Sequence, residues 1–335
     1  MSSAQSQEVE GLTQVYYTNL FTPTAADDFI DLCMSKGAEI KTLGISLSAG
    51  RPGCSFLDIP GRGPLAPYLQ GLSNLSEIIL TVNLTFATEF EVANLRELLA
   101  VVRGKVSTCQ FYGGHLPVSL PFPELATMLF PSLRVLEISH ADQLRYAVPH
   151  CAAPLLRRLT VNWTVADPGR VRHLSELQKA IYRLQCHHSL RHVYLRINFY
   201  GADFSTDPSD LPDFTGLPAL RYLSLDVGPR NAVNPVPVLQ TVQWCISFIK
   251  KNHTLVTLKS LQIRLEFPVH KWDICAPLTD LELTGKLREL RQALIDMTAR
   301  GSRVMITLCL SLDASTSLAT ISPKNSCTTM PWAFM

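Results

Sequence analysis

The sequence predicts an α/β fold made of repeated strand and helix units, on three observations. Fifty of the 335 residues are leucine, and 47% of the chain is hydrophobic against only 17% charged. Soluble domains usually carry roughly 25% charged residues, so this composition indicates a large buried core and excludes a disordered chain. The leucines recur in an L-x-x-L-x-L pattern, and several intervals between the copies have the spacing of an amphipathic helix.

The copies of this pattern share apolar residues at their first, fourth and sixth positions. Their first positions are Ile40, Leu75, Val106, Leu133, Leu156, Leu190, Leu220, Leu258 and Leu278. The mean spacing is about 30 residues, close to the leucine-rich repeat period of roughly 20–29. We therefore expect an irregular leucine-rich repeat solenoid, a horseshoe with a parallel concave sheet of about ten strands and with helices and loops on the convex side. A non-repetitive α/β domain with leucine-rich strands is the alternative.

Apolar spacing predicts helices between several of these strands. The predicted helices span residues 24–36, 92–103, 171–184, 238–250 and 287–299. Residues 201–216 are rich in Asp, Pro and Gly and are expected to form an exposed insertion. The predicted domains are a short N-terminal segment at 1–22, one repeat domain at 23–312 and a disordered tail at 313–335.

Charge, cysteine usage and targeting signals restrict the class of protein. The net charge of +2 does not indicate a dedicated nucleic-acid binder. The N-terminus has no secretory signal, and no apolar stretch approaches the roughly 20 residues of a membrane span. Nine scattered cysteines without a C-x-x-C pair predict reduced thiols in a cytoplasmic or nuclear protein. The N-x-[ST] sequons at Asn74, Asn83, Asn162 and Asn252 are interpreted as chance occurrences.

Two phrases of the chain resemble a known family. The segments 131–138 (PSLRVLEI) and 217–225 (LPALRYLSL) are similar to the leucine-rich repeats of F-box proteins, especially the divergent sets of mushroom-forming fungi. The resemblance covers about residues 25–310. It implies the substrate-recognition half of an F-box-type ubiquitin-ligase receptor. Because segment 1–22 is too short for an F-box, we expect the repeat region without its ligase-docking half.

Cations recur at one position of the repeat. The second position is basic in five successive copies, here called the basic ladder: Arg134, Arg157, Arg191, Arg221 and Lys259. Stacked strands would space these side chains about 4.8 Å apart on the concave face, with aromatic residues among them. The predicted partner-binding residues are Arg134, Arg157, Arg158, Asn162, Trp163, Arg191, Tyr194, Arg196, Arg221, Tyr222, Lys259 and Arg264. The competing interpretation is that the basic ladder is only a solvated position at the start of each strand.

The predicted function is a non-enzymatic protein-interaction module, acting as a monomer without cofactor or metal. Arginine forks pair with carboxylates and phosphates, so the expected protein partner is acidic or phosphorylated. A binder of phosphorylated or acidic ligands, or of nucleic acid, through the basic ladder is the alternative.

A metal-dependent hydrolase at Cys186, His187, His188 and His192 is a third alternative. The spacing of these residues crosses a helix-to-strand turn, and no second ligand pair has the complementary spacing. The last predicted copy differs from the basic ladder because Asp280 and Glu282 make it acidic.

Overall fold

The computed structural model divides the chain into two compact units. The first comprises residues 1–159 and 183–186, and the second comprises 160–182 and 187–335. The described residues are 6–7, 15–19, 23–48, 58–59, 63–83, 89–112, 128–139, 151–165, 174–200, 211–230, 236–255, 257–269, 281–298 and 303–312. Both units combine α-helices with parallel β-strands, which confirms the α/β class. The predicted tail at 313–335 lies outside the described residues.

Helices lie between the strands, as the apolar spacing predicts. They are α1 (Pro23–Lys36), α2 (Leu65–Gly71), α3 (Glu89–Val102), α4 (Leu174–Arg183), α5 (Val236–Lys251) and α6 (Leu281–Thr298). The predicted helices overlap all of these except α2. Gly37 follows α1 directly, and a Cβ there would lie 2.4 Å from the carbonyl oxygen of Cys33. Only glycine allows the chain to turn this closely past the end of the helix.

The strands recur along the whole described chain. They are β1 (Ser6–Gln7), β2 (Val15–Asn19), β3 (Thr42–Ser48), β4 (Asp58–Ile59), β5 (Gly63–Pro64), β6 (Glu77–Asn83), β7 (Val106–Tyr112), β8 (Met128–Leu129), β9 (Val135–Ile138), β10 (Cys151–Ala152), β11 (Arg158–Val165), β12 (His192–Tyr200), β13 (Tyr222–Arg230), β14 (Ser260–Val269) and β15 (Arg303–Leu312). Two of them, β1 and β2, lie within segment 1–22, and β2 pairs in parallel with β3.

The first unit contains the strand order β1-β2-β3-β6-β7-β9, parallel from β2 onward. Leu43 pairs with Ile78, as the alignment of repeat positions predicts. The register of β7 differs from the predicted one: Ile78 pairs with Val106 and Leu80 with Cys109, instead of with the predicted Cys109 and Phe111. Val106 therefore takes the place of a fourth-position residue and not of a first-position one, and a β-bulge next to Ile78 adds one extra residue on β7.

The second unit contains the parallel order β12-β13-β14-β15. Fourth-position residues of successive copies pair with one another, as predicted: Val193 with Leu223, and Leu223 with Leu261. Leu261 pairs with Val304 of β15 in the same way.

The predicted strand copy at 278–283 is wrong. Leu281 begins α6, and Glu282 is exposed in the first turn of that helix. Asp280 lies outside the described residues. The next strand of the sheet is β15, so the predicted acidic terminal copy does not form there.

Alternating burial places the core of each unit on one side of its strands. In β6 and β9, every second residue is buried and its neighbours are half-buried.

In the second unit, α5 packs against α6 and against β13. Trp244 and Phe248 of α5 are buried, and their rings stack with centroids 5.3 Å apart. Leu290 of α6 is also buried.

Part of the predicted exposed insertion belongs to this core. Residues 201–210 lie outside the described residues, but Leu211 is 1% exposed and Phe214 is fully buried. Asn252, directly after α5, explains how this loop is fixed. Its Oδ1 accepts from Phe214 N at 2.7 Å, and its Nδ2 donates to Pro212 O at 3.0 Å. This sequon asparagine is 1% exposed, so its amide cannot carry a glycan in the folded chain.

Among the described residues, no helix combines the length and the apolar character that crossing a membrane requires.

Candidate partner-binding face

Three neighbouring strands of the second unit carry polar side chains on the side opposite the leucines. We call this surface the polar face. It consists of His192, Tyr194, Arg196, Tyr222, Ser224, Asp226, Ser260, Gln262 and Arg264. The residues between them, such as Val193 and Leu195, are buried. Strand alternation therefore separates a polar surface from the core, and the parallel register arranges the polar residues in rows across the strands.

One row joins two arginines and a buried carboxylate. Arg196 pairs with Asp226 across β12 and β13, and Asp226 pairs with Arg264 across β13 and β14. Asp226 is only 3% exposed. Arg196 Nε lies 3.7 Å from Asp226 Oδ2, and Arg264 is exposed. A buried carboxylate needs opposite charge or hydrogen bonds to offset its desolvation, and Arg196 in this row provides the opposite charge.

Tyr194 supplies the hydrogen bond to this carboxylate. Its Oη donates to Asp226 Oδ2 at 3.0 Å. Burial, together with the negative charge of Asp226, raises the pKa of Tyr194 to about 12, although Arg196 and Arg264 act in the opposite direction. The phenol therefore stays protonated at neutral pH and holds the carboxylate from one side.

A second row presents an aromatic surface. The rings of His192 and Tyr222 are stacked, with centroids 4.5 Å apart and planes 10° from parallel. Tyr222 is 44% exposed, so one aromatic ring reaches solvent on the polar face. Exposed, stacked aromatic rings are frequent contact points at protein interfaces.

The basic ladder lies at the amino ends of the strands rather than on the polar face. Each of its members comes one residue before a strand. In the second unit, Arg221 N donates to Arg191 O at 2.9 Å, and Lys259 N donates to Arg221 O at 2.8 Å. These three residues are therefore adjacent, at the amino ends of their strands.

These second-unit members of the basic ladder differ in exposure. Arg191 and Lys259 are exposed. Arg221 is half-buried, and its Nη1 donates to Thr257 O at 2.9 Å. Arg221 thus stabilises the turn before β14, which leaves Arg191 and Lys259 as the more accessible cations of this edge.

In the first unit, the remaining members of the basic ladder are also adjacent. Arg157 N and Arg158 N donate to Arg134 O at 2.8 and 3.0 Å. All three side chains are exposed. They therefore form a cationic edge of the first unit by themselves.

The open side of the first-unit strands is polar rather than basic. Thr81 Oγ1 donates to Gln110 Oε1 at 3.0 Å, and Gln110 Nε2 donates to Glu137 Oε2 at 2.9 Å. Thr42 and Ser107, the extra residue of the β-bulge, both donate to Glu77. These hydrogen bonds cross strands and fix the two carboxylates, a role that the sequence reasoning did not assign.

Two predicted site residues follow Arg158 on β11. Asn162 is half-buried there, and the side chain of Trp163 lies outside what the structure describes.

The cysteine and histidine cluster does not form a metal-ligand set among the described residues, where no group of three or more His, Cys, Asp or Glu could hold an ion. Cys186 is buried, and burial raises the pKa of its thiol to about 12. His187 packs against Tyr182 and His188, with ring centroids 5.3 and 4.1 Å away. His192 belongs instead to the aromatic row with Tyr222.

Comparison of the chain with protein-family models, with curated proteins and with solved structures finds no match. The class of the chain is therefore stated from its own fold: an α/β protein whose parallel strands separate a leucine core from a polar face.

Proposed function

We propose that the chain is a non-enzymatic protein-interaction module, an irregular leucine-rich repeat solenoid that holds a protein partner on its polar face. The observation that carries this proposal is the set of rows on β12, β13 and β14, which places Arg196, Asp226 and Arg264 on the same face as the exposed ring of Tyr222. Backbone pairing across the strands fixes the spacing of these side chains, and fixed spacing favours binding because little order is lost on association.

The expected partner is acidic. Arginine and lysine outnumber carboxylates on the polar face and its adjoining strand ends, where Arg191 and Lys259 are exposed. An acidic protein surface would therefore be attracted to this side of the second unit.

We also propose that the module is the substrate-recognition half of an F-box-type receptor, in the cytoplasm or nucleus. The support is the resemblance of segments 131–138 and 217–225, which lead into β9 and β13. The thiol state of Cys186 and Cys245, which do not form disulfides, is consistent with those compartments.

Affinity purification with quantitative mass spectrometry from the native cell tests the interaction proposal. The informative bait carries Tyr222→Ala and Arg264→Glu on the polar face. The matched control carries Tyr182→Ala and Arg288→Glu, because Tyr182 on α4 is also 44% exposed and Arg288 is exposed on α6. We expect a specific partner on the wild-type and control baits and its loss from the polar-face variant. A partner that the polar-face variant retains and the control loses would overturn the proposal.

A further inference from the structure

We propose that the row of Arg196, Asp226 and Arg264 recognises a phosphorylated side chain of the partner. This inference rests on the proposed function, because it assumes that a protein binds the polar face. It adds the chemistry of the contact: a phosphomonoester bound between two arginines that flank a buried aspartate.

The register supplies the geometry for such a contact. Asp226 lies on the middle strand, with Arg196 and Arg264 at the same level on either side. Neighbouring strands are roughly 4.8 Å apart, so the two arginine Cα atoms are about 10 Å apart. Two long side chains that start from this separation can converge on one tetrahedral anion above the row.

The charges favour an anion over a cation. The row carries two guanidinium groups and one carboxylate, so its formal charge is +1. The carboxylate of Asp226 is almost fully buried and accepts a hydrogen bond from Tyr194. It therefore acts as a positioning residue that attracts the guanidinium of Arg196, whose Nε lies 3.7 Å from Asp226 Oδ2.

Arginine is the side chain suited to phosphate. Its planar fork donates two parallel hydrogen bonds to phosphate oxygens, and these charge-assisted bonds are roughly twice as strong as neutral ones. A phosphate with a charge of about −2 gains more from two arginines than a carboxylate with a charge of −1 does. The row should therefore discriminate a phosphoserine from a glutamate.

The basic ladder sets a second contact at a defined distance. Arg191 lies five residues before Arg196 and one residue before β12 begins, about 16 Å away at roughly 3.3 Å per residue. An extended peptide covers that distance in about five residues. Tyr222 pairs with His192, so its ring lies close to the level of Arg191 and four residues from the level of Arg196. We therefore expect a phosphorylated residue, an apolar residue about four positions from it and an acidic residue about five positions from it.

Fluorescence polarisation with degenerate peptides tests this inference on the full chain. The probes are three mixtures of labelled 13-residue peptides with phosphoserine, glutamate or serine at the centre and aspartate five positions to each side. We expect the phosphoserine mixture to bind at least about tenfold more tightly than the other two. Arg196→Gln and Arg264→Gln should each remove most of this preference, while Arg288→Gln on α6 should leave it unchanged.

Further variants separate charge from geometry. Arg264→Lys keeps the positive charge without the fork and should retain only part of the preference for phosphoserine. Circular dichroism of every variant checks that it is folded. Moving the aspartates to two positions from the phosphoserine should weaken binding, because they would no longer reach Arg191.

The possible failures are distinguishable. Equal affinity for the three mixtures, or an unchanged preference in both glutamine variants, overturns the phosphate site. The proposed function survives that result if the native partner is still lost with Tyr222→Ala and Arg264→Glu. Tighter, steeply salt-dependent binding of mixed-sequence single-stranded RNA would replace the phosphopeptide with nucleic acid as the ligand and overturn the inference.

Discussion

Replacing Asn252 with alanine removes the hydrogen bonds that tie the end of α5 to the loop before β13. The substitution leaves Phe214 N and Pro212 O without the asparagine, in a site where Asn252 itself is 1% exposed. Phe248 O keeps a partner, because it also accepts from the backbone N of residue 252. Each buried group that loses its partner costs about 1–3 kcal/mol, so we expect a loss of at least about 2 kcal/mol.

Hydrogen exchange measured by mass spectrometry reports this change locally. A loss of about 2 kcal/mol corresponds to roughly 30-fold faster exchange in peptides that cover 211–220 and 236–255. The control is Asn74→Ala, because Asn74 is exposed and makes one hydrogen bond, to Ala38 O at 2.6 Å. This control substitution should change the rate of hydrogen exchange by only a few-fold. Equal effects of the two substitutions would refute the reasoning that burial makes Asn252 costly to remove.

Other regions give further predictions. Burial raises the pKa of Cys186 to about 12 and that of the half-buried Cys33 to about 11. Iodoacetamide should therefore modify Cys33 before Cys186 in the folded chain, and both thiols at equal rates in urea. Equal rates of modification without urea would contradict this prediction. The raised pKa of Tyr194 contributes stability that is complete below its unfolded pKa of about 10 and is lost as the pH rises towards 12. The free energy of unfolding, measured with urea, should decrease less between these two pH values in Tyr194→Phe than in the wild-type chain. An equal decrease in both would refute the role given to the Tyr194 phenol. Charge reversal of Arg191 and Lys259 should weaken binding of an acidic partner most at low salt, as measured by titration calorimetry. Unchanged affinity would mean that these cations are only solvated.

The repeat pattern predicts the buried rows of the second unit well. Leucine at fixed positions of a short strand predicts Val193, Leu223 and Leu261 in one row, because alternation puts them on one face and the parallel register brings them together. The helices follow for the same reason, since each buries an apolar stripe of the expected period.

The pattern fails where a segment satisfies two periods at once. Leu283, Leu287, Leu290 and Leu294 continue at helical spacing, so the leucines around 281 fit a helix better than a strand. The sequence alone did not show this, because the L-x-x-L-x-L template matches the first part of that run.

The residue types of the candidate site could be predicted from the sequence, but the way in which these residues lie next to one another could not. Its arginines and tyrosines were identified, but Asp226 was not among the predicted binding residues, although it lies between Arg196 and Arg264. Its partners come from strands about 30 residues away in sequence, and only the register brings them together. The pattern also does not show that each strand begins one residue after its member of the basic ladder.

Hydroxyl-radical footprinting of the complex with the captured partner tests the central claim most directly. Tyr222 on the polar face and Tyr182 on α4 are equally exposed, at 44% each. The two rings therefore serve as matched probes of the two sides of the second unit. We predict that the partner slows oxidation of Tyr222 several-fold and leaves Tyr182 unchanged. Protection of Tyr182 with unchanged oxidation of Tyr222 would contradict binding on the polar face.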